Sequence, residues 1–199
     1  HFTIGTLYER SPSVFKDSGG TYWMVWSEAV NATVRNGGTD PDTDDYYVYY
    51  RTASTLEDLA TAPTPAPGLT PTDSQQRDIA AMCASDGTIW VVTAGGSGMD
   101  QVHYYTYDGT TWTGPTAIDV SSNQVDIVEF GGLIYVFYIG GKYRTWDGIN
   151  WSTEKTISEA DGGMHRAVII DGTLHVVWSG AEGMTEIRHA SSADGTNWT

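Results

Sequence analysis

Apolar and polar positions along this chain recur in blocks of strand-like alternation with period two, the spacing of half-buried β-strands. Each block holds an apolar strand, a glycine turn and a second strand rich in aromatic and β-branched residues. The blocks run Ser13–Phe15 into Gly20–Trp26, Ile79–Cys83 into Gly87–Val92, Val125–Val128 into Gly132–Tyr138, and Arg166–Ile170 into Gly172–Trp178. The turn glycines Gly87, Gly132 and Gly172 are 45 and 40 residues apart, the length that one four-stranded propeller blade consumes. A third strand follows in every block: Tyr46–Arg51, Val102–Tyr107, Lys142–Thr145 and Glu186–Ala190.

Three of these third strands end in one turn, Asp-Gly-X-X-Trp, at Asp108–Trp112, Asp147–Trp151 and Asp194–Trp198. Asp-Gly tolerates positive φ, and a Trp four residues after the Asp folds its ring under the hairpin as edge packing. Fourth strands are expected at Thr113–Ile118 and Ser152–Ile157. The only good helix-forming run, Leu56–Ala60, is cut short by the proline-rich Ala62–Pro67.

The expected fold is therefore all-β: a small propeller of about four blades of four antiparallel strands, in a single domain over 1–199. Blades are expected at about 10–77, 78–123, 124–162 and 163–199, the last completed by residues 1–7. His1–Phe2–Thr3–Ile4 has the pattern of the strand that the last blade needs, so pairing of His1–Leu7 beside Ile187 and His189 would close the ring. The alternative is an open propeller completed by a neighbouring chain, giving dimers or filaments.

Composition narrows the partners. Ten Lys and Arg against 25 Asp and Glu give a formal charge of −15, which disfavours nucleic acid and anionic membranes. No apolar run approaches the ~20 residues of a membrane span. The start at His1, without Met or a signal-peptide pattern, suggests a processed or excised chain. Cys83 is the only cysteine and lies in an apolar run that reads as a buried strand, a structural thiol. Sequons at Asn31, Asn150 and Asn197 mark glycosylation sites if the chain is exported, and an extracellular or cell-surface location is expected.

The last block, Leu174–Trp178 followed by Ile187–Trp198, resembles the sialidase-like propellers with Asp-box turns, Ser-X-Asp-X-Gly-X-X-Trp, although here Gly follows Asp directly. Similar turns occur in invertase-like and arabinanase-like glycosidases. Tyr8–Ser13 is similar to the Arg-Ile-Pro motif of sialidases, with Ser11 in place of Ile; the resemblance implies that Arg10 holds a substrate carboxylate. Arg77–Asp78 is similar to the Arg-Asp pair of invertase-like enzymes, with Ile79 where Pro is expected.

A propeller site forms where first strands begin. That places Arg10, Arg77, Asp78, Gln124, Asp126, His165 and Arg166 in a mixed-charge funnel of a kind that holds sugars. Asp78 and Asp126 are the candidate catalytic acids, because glycoside hydrolysis needs two carboxylates. The bland reading pairs them with Arg77 and Arg166 as structural ions. A sialidase-type Tyr nucleophile with its Glu partner cannot be placed, and a Ser/His/Asp constellation cannot be assigned from order alone. Asp40, Asp42 and Asp44 alternate as a hard cation prefers and form a candidate Ca²⁺ loop, though Asp45 and Arg51 stand where an EF-hand needs Gly and Glu. A solvated acidic loop is the other reading of that run.

The incomplete acids and substituted motifs favour a non-catalytic, glycosylated module of a surface or filament protein. Such a module binds carbohydrate or protein at the cell surface, or self-assembles into homo-oligomers. The alternative is a glycoside hydrolase of sialidase-like or arabinanase-like type.

Overall fold

The computed structural model describes residues 9–29, 46–61, 67–69, 78–95, 101–157, 163, 165–179 and 186–199. They form four antiparallel sheets in a propeller-like series, each built in chain order from its first strand outward. Sheet A comprises β1 (Glu9–Lys16), β2 (Tyr22–Ala29), β3 (Tyr46–Ala53) and β4 (Pro67–Leu69), and sheet B comprises β5 (Asp78–Cys83), β6 (Ile89–Ala94), β7 (Gln101–Tyr107) and β8 (Trp112–Ser121). Sheet C holds β9 (Val125–Phe130), β10 (Leu133–Tyr138), β11 (Lys142–Trp146) and β12 (Lys155–Thr156); sheet D holds β13 (His165–Ile170), β14 (Thr173–Ser179) and β15 (Ile187–Ser192). The chain divides into two compact units, His1–Asn123 with sheets A and B, and Gln124–Thr199 with sheets C and D.

In the first unit, alternation turns Trp23, Val25 and Val48 of sheet A toward Ile79, Ile89, Val91 and Tyr105 of sheet B, forming one buried cluster. Trp112, from the first Asp-Gly turn, adds its ring to this seam, 5.5 Å from Tyr50 and 6.4 Å from Trp23. The opposite face of sheet A, Met24 and Trp26, is covered by Leu59 of α1 (Leu56–Thr61). That helix is the predicted run; Thr55 Oγ1 caps it by accepting from the Asp58 amide at 3.1 Å.

The second unit repeats the solution. Tyr135, Phe137 and Tyr143 of sheet C pack on Leu174, Val176, Trp178 and Ala190 of sheet D. Trp198 plugs the seam: its indole N–H donates to Tyr143 Oη at 3.2 Å, and its ring lies edge-on to Phe137.

Two details differ from the sequence reading. Cys83 is half-buried, its thiol donating to the Ala84 carbonyl at 3.4 Å. The fourth strand of sheet C is only Lys155–Thr156. Ser152 explains the shortening: its Oγ accepts from the Thr145 amide at 3.1 Å and donates to the Thr153 carbonyl at 2.8 Å, so a side chain takes part of the ladder. The expected ring closure by His1–Leu7 lies outside the described residues.

Candidate functional site

The first strands of each unit are pegged side by side by polar side chains. Between β1 and β5, Ser13 Oγ accepts from the Ala81 amide and donates to the Ala81 carbonyl, both at 3.1 Å. Near the beginning of the same two strands, Ser11 Oγ donates to Asp78 Oδ1 at 2.5 Å. Ser11 reaches it because β1 is irregular between Arg10 and Ser13, and Ser11 itself has a φ of 47°. Asp78 is the first residue of β5, opposite Ala94, and is half-buried.

In the second unit Asp126 Oδ2 accepts from the Ala167 amide at 2.6 Å, tying β9 to β13. Gln124 is half-buried just before β9 and stands beside Gly163, where an added Cβ would lie 3.5 Å from Gln124 Oε1. Arg166 is exposed, opposite Val177. Arg10 and His165 take their places on β1 and β13, opposite Ser27 and Trp178; their side chains lie outside the described residues, as do Arg77, Asn31 and the candidate calcium ligands Asp40, Asp42 and Asp44. Among the described residues, no three His, Cys, Asp or Glu side chains gather to hold a metal. Asn150 and Asn197 are exposed in Asp-Gly turns, and Asn197 Nδ2 donates to Asp194 Oδ2 at 2.7 Å.

Sequence reasoning missed one cluster. Tyr138 ends β10 opposite both Val125 and Lys142, level with the start of β9. Its hydroxyl donates to Glu154 Oε2 at 3.1 Å, and Lys142 Nζ lies 2.9 Å from Glu154 Oε1. Burial, followed by the Glu154 charge, pushes the Tyr138 phenol well above its ordinary value, while the bond from Lys142 holds Glu154 below its own. This is a Tyr–Glu pair of the type sought for a sialidase nucleophile. Yet Tyr138 is only 2% exposed, out of reach of a substrate, and its hydroxyl is engaged in donating to Glu154. The hairpin register was the signal that would have found it.

No family model matches this chain, and no curated protein does. Solved structures do match. A protein of unknown function from Dyadobacter fermentans aligns over 100% of this chain and 70% of its own at TM-score 0.74 and 14% identity. CoXyl43, a GH43 β-xylosidase/α-arabinofuranosidase from a compost microbial metagenome, solved with xylotriose in calcium-free form, aligns over 96% of this chain and 76% of its own at TM-score 0.64 and 13% identity. The Hadza microbial sialidase Hz136 aligns over 96% of this chain but 46% of its own, at TM-score 0.57 and 16% identity. The chain thus has a propeller-like fold shared with sugar-active proteins of the sialidase and GH43 kinds.

These matches correct the expectation of a non-catalytic, glycosylated, self-assembling surface module, and with it the preference against an enzyme. That expectation treated Ser11 for Ile and Ile79 for Pro as losses an enzyme cannot bear. At 13% and 16% identity the fold persists while most residues change, so two altered motif neighbours carry no weight against hydrolysis.

Proposed function

We propose that the chain carries a glycoside hydrolase site that works through Asp78, at the beginning of β5. The observation that carries this reading is Asp78: a half-buried acid on the first residue of β5, oriented by a hydroxyl from the neighbouring first strand. A carboxylate oriented by a hydroxyl in this way is a group that can exchange a proton with a sugar hydroxyl, a water or a leaving oxygen. Asp126, in the second unit, binds the Ala167 amide through Oδ2, a structural duty.

Of the two chemistries suggested by the matched structures, the GH43 kind is favoured, because the oriented acid Asp78 starts a first strand, whereas Tyr138, bonded to Glu154, is only 2% exposed and out of reach of a substrate. A substrate such as a short pentose oligosaccharide follows from that preference. Glycans of this size do not cross a bilayer unaided, which is consistent with an extracellular location. A panel of aryl xyloside, arabinofuranoside, galactoside and sialoside substrates tests the reading, with turnover of a pentoside expected; turnover of the sialoside alone would return the sialidase chemistry.

A further inference from the structure

We propose that His175 and His189 of sheet D form a two-imidazole site for a divalent transition-metal ion of tetragonal geometry, with Cu²⁺ its preferred occupant. The two residues are 14 apart, a spacing that marks no metal motif, and the pairing of β14 with β15 makes them neighbours. His175 stands opposite Ser191 and His189 opposite Val177, so the two histidines are diagonal neighbours on one face of the ladder. That face is the outward one, because Leu174, Val176 and Trp178, which alternate with His175 and Val177, are buried against sheet C. His189 is exposed and His175 half-buried. Both sit within a six-residue run of continuous pairing, so the backbone fixes their separation and only side-chain torsions adjust.

His175 Nδ1 and His189 Nε2 are 2.9 Å apart, with the ring planes 19° from parallel and the centroids 5.2 Å apart. Rings so placed lie nearly end to end, one nitrogen donating its proton to the other across the gap. The donating ring can carry that proton on its other nitrogen instead, since neutral imidazole has two tautomers, and both facing nitrogens then present lone pairs. No proton is gained or lost in that exchange. Small outward turns of the rings about Cβ–Cγ, a soft torsion, aim the two lone pairs at one point. Two metal–nitrogen bonds of about 2.0 to 2.1 Å span about 2.9 Å when they meet at a right angle, and about 3.3 Å at a tetrahedral angle. The observed separation therefore fits adjacent corners of a square-planar or octahedral ion better than tetrahedral zinc. Imidazole suits copper, nickel and zinc rather than the oxygen-seeking Ca²⁺ or Mg²⁺, and of the divalent ions Cu²⁺ binds such nitrogens most tightly. Among the described residues no third His, Cys, Asp or Glu completes the set, so water takes the remaining positions. Arg166, opposite Val177 on the same face, opposes a cation, while the formal charge of −15 on the chain favours one.

Copper binding at this pair is independent of sugar turnover. Isothermal titration of Cu²⁺ into wild type, His175→Gln and His189→Gln counts the equivalents that each protein holds. Wild type should bind one equivalent more than either variant, and that equivalent should raise its thermal midpoint, because an ion held only by the folded state stabilises it. Electron paramagnetic resonance of wild type with one equivalent of Cu²⁺ should show a tetragonal spectrum split by two nitrogen donors. Midpoints measured without metal check that the variants fold. Equal stoichiometry in all three proteins overturns the proposal. So does loss of the extra equivalent in one variant alone, since the site needs both imidazoles. Where a Gln variant fails to fold, the wild-type spectrum decides, and one without two imidazole nitrogens on the copper overturns the site.

Discussion

At the scale of single residues, the three Asp-Gly-X-X-Trp turns are one device made three times. Asp108 Oδ1 accepts from the amides of Thr110 and Thr111, Asp147 Oδ1 from those of Ile149 and Asn150, and Asp194 Oδ1 from those of Thr196 and Asn197, at 2.7 to 2.9 Å. The Thr110 hydroxyl and amides hold Asp108 below its ordinary value of 3.8, and the amides of Asn150 and Asn197 lead the same effect on Asp147 and Asp194. The stability these carboxylates contribute is complete above the unfolded value and is lost as pH falls through the depressed folded values. The thermal midpoint should therefore drop as pH falls from 4 toward 2, and a triple Asp→Asn variant should show a flatter slope over that window. The glycines of these turns separate backbone from packing. Gly148 and Gly195 have φ of 98° and 75°, but an added Cβ meets nothing within 4 Å at Gly148 and would lie 2.0 Å from Tyr135 Oη at Gly195. Gly148→Ala should cost about 1 kcal/mol and Gly195→Ala about 2 kcal/mol more in denaturant titrations. Equal losses would show that Tyr135 moves aside freely.

Among elements, the seams between sheets depend on a few cross-strand pegs. Trp198→Ala should cost about 3 kcal/mol, the lower end for a large aromatic, because the ring is half-buried and Tyr143 also loses a donor. Asp126 allows a sharper separation. Asp126→Ala strands the Ala167 amide and should destabilise by about 1 to 3 kcal/mol, whereas Asp126→Asn keeps an acceptor and should fold normally. If Asp126→Asn folds normally and retains full turnover, Asp126 is a peg and not an acid of the reaction. The strands and turns were legible in the sequence because period-two alternation and Asp-Gly spacing are local signals, and α1 was legible from Leu56–Ala60 and the prolines after it. The pegs were not. Ser11–Asp78 and Asp126–Ala167 join residues 67 and 41 apart, and only the pairing of first strands brings them together. The Tyr138–Glu154 bond spans 16 residues and depends on the hairpin that sets Tyr138 opposite Lys142.

For the whole molecule, the repeat was the strongest signal and the function the weakest, for one physical reason. Sheets are specified by patterns that many residues satisfy, and a hydrolytic site by a few carboxylates whose neighbours vary freely. Asp78 was found as a first-strand acid, but its orienting Ser11 had been read only as a motif substitution. The central claim is that Asp78 performs glycoside hydrolysis. The most direct test is the rate of aryl pentoside hydrolysis by wild type and Asp78→Asn, with circular dichroism and thermal midpoints confirming that both fold. The account predicts measurable wild-type turnover that falls by at least about 10²-fold in the variant, the scale of losing an acid or base. Wild-type turnover that survives in a folded Asp78→Asn protein would contradict it.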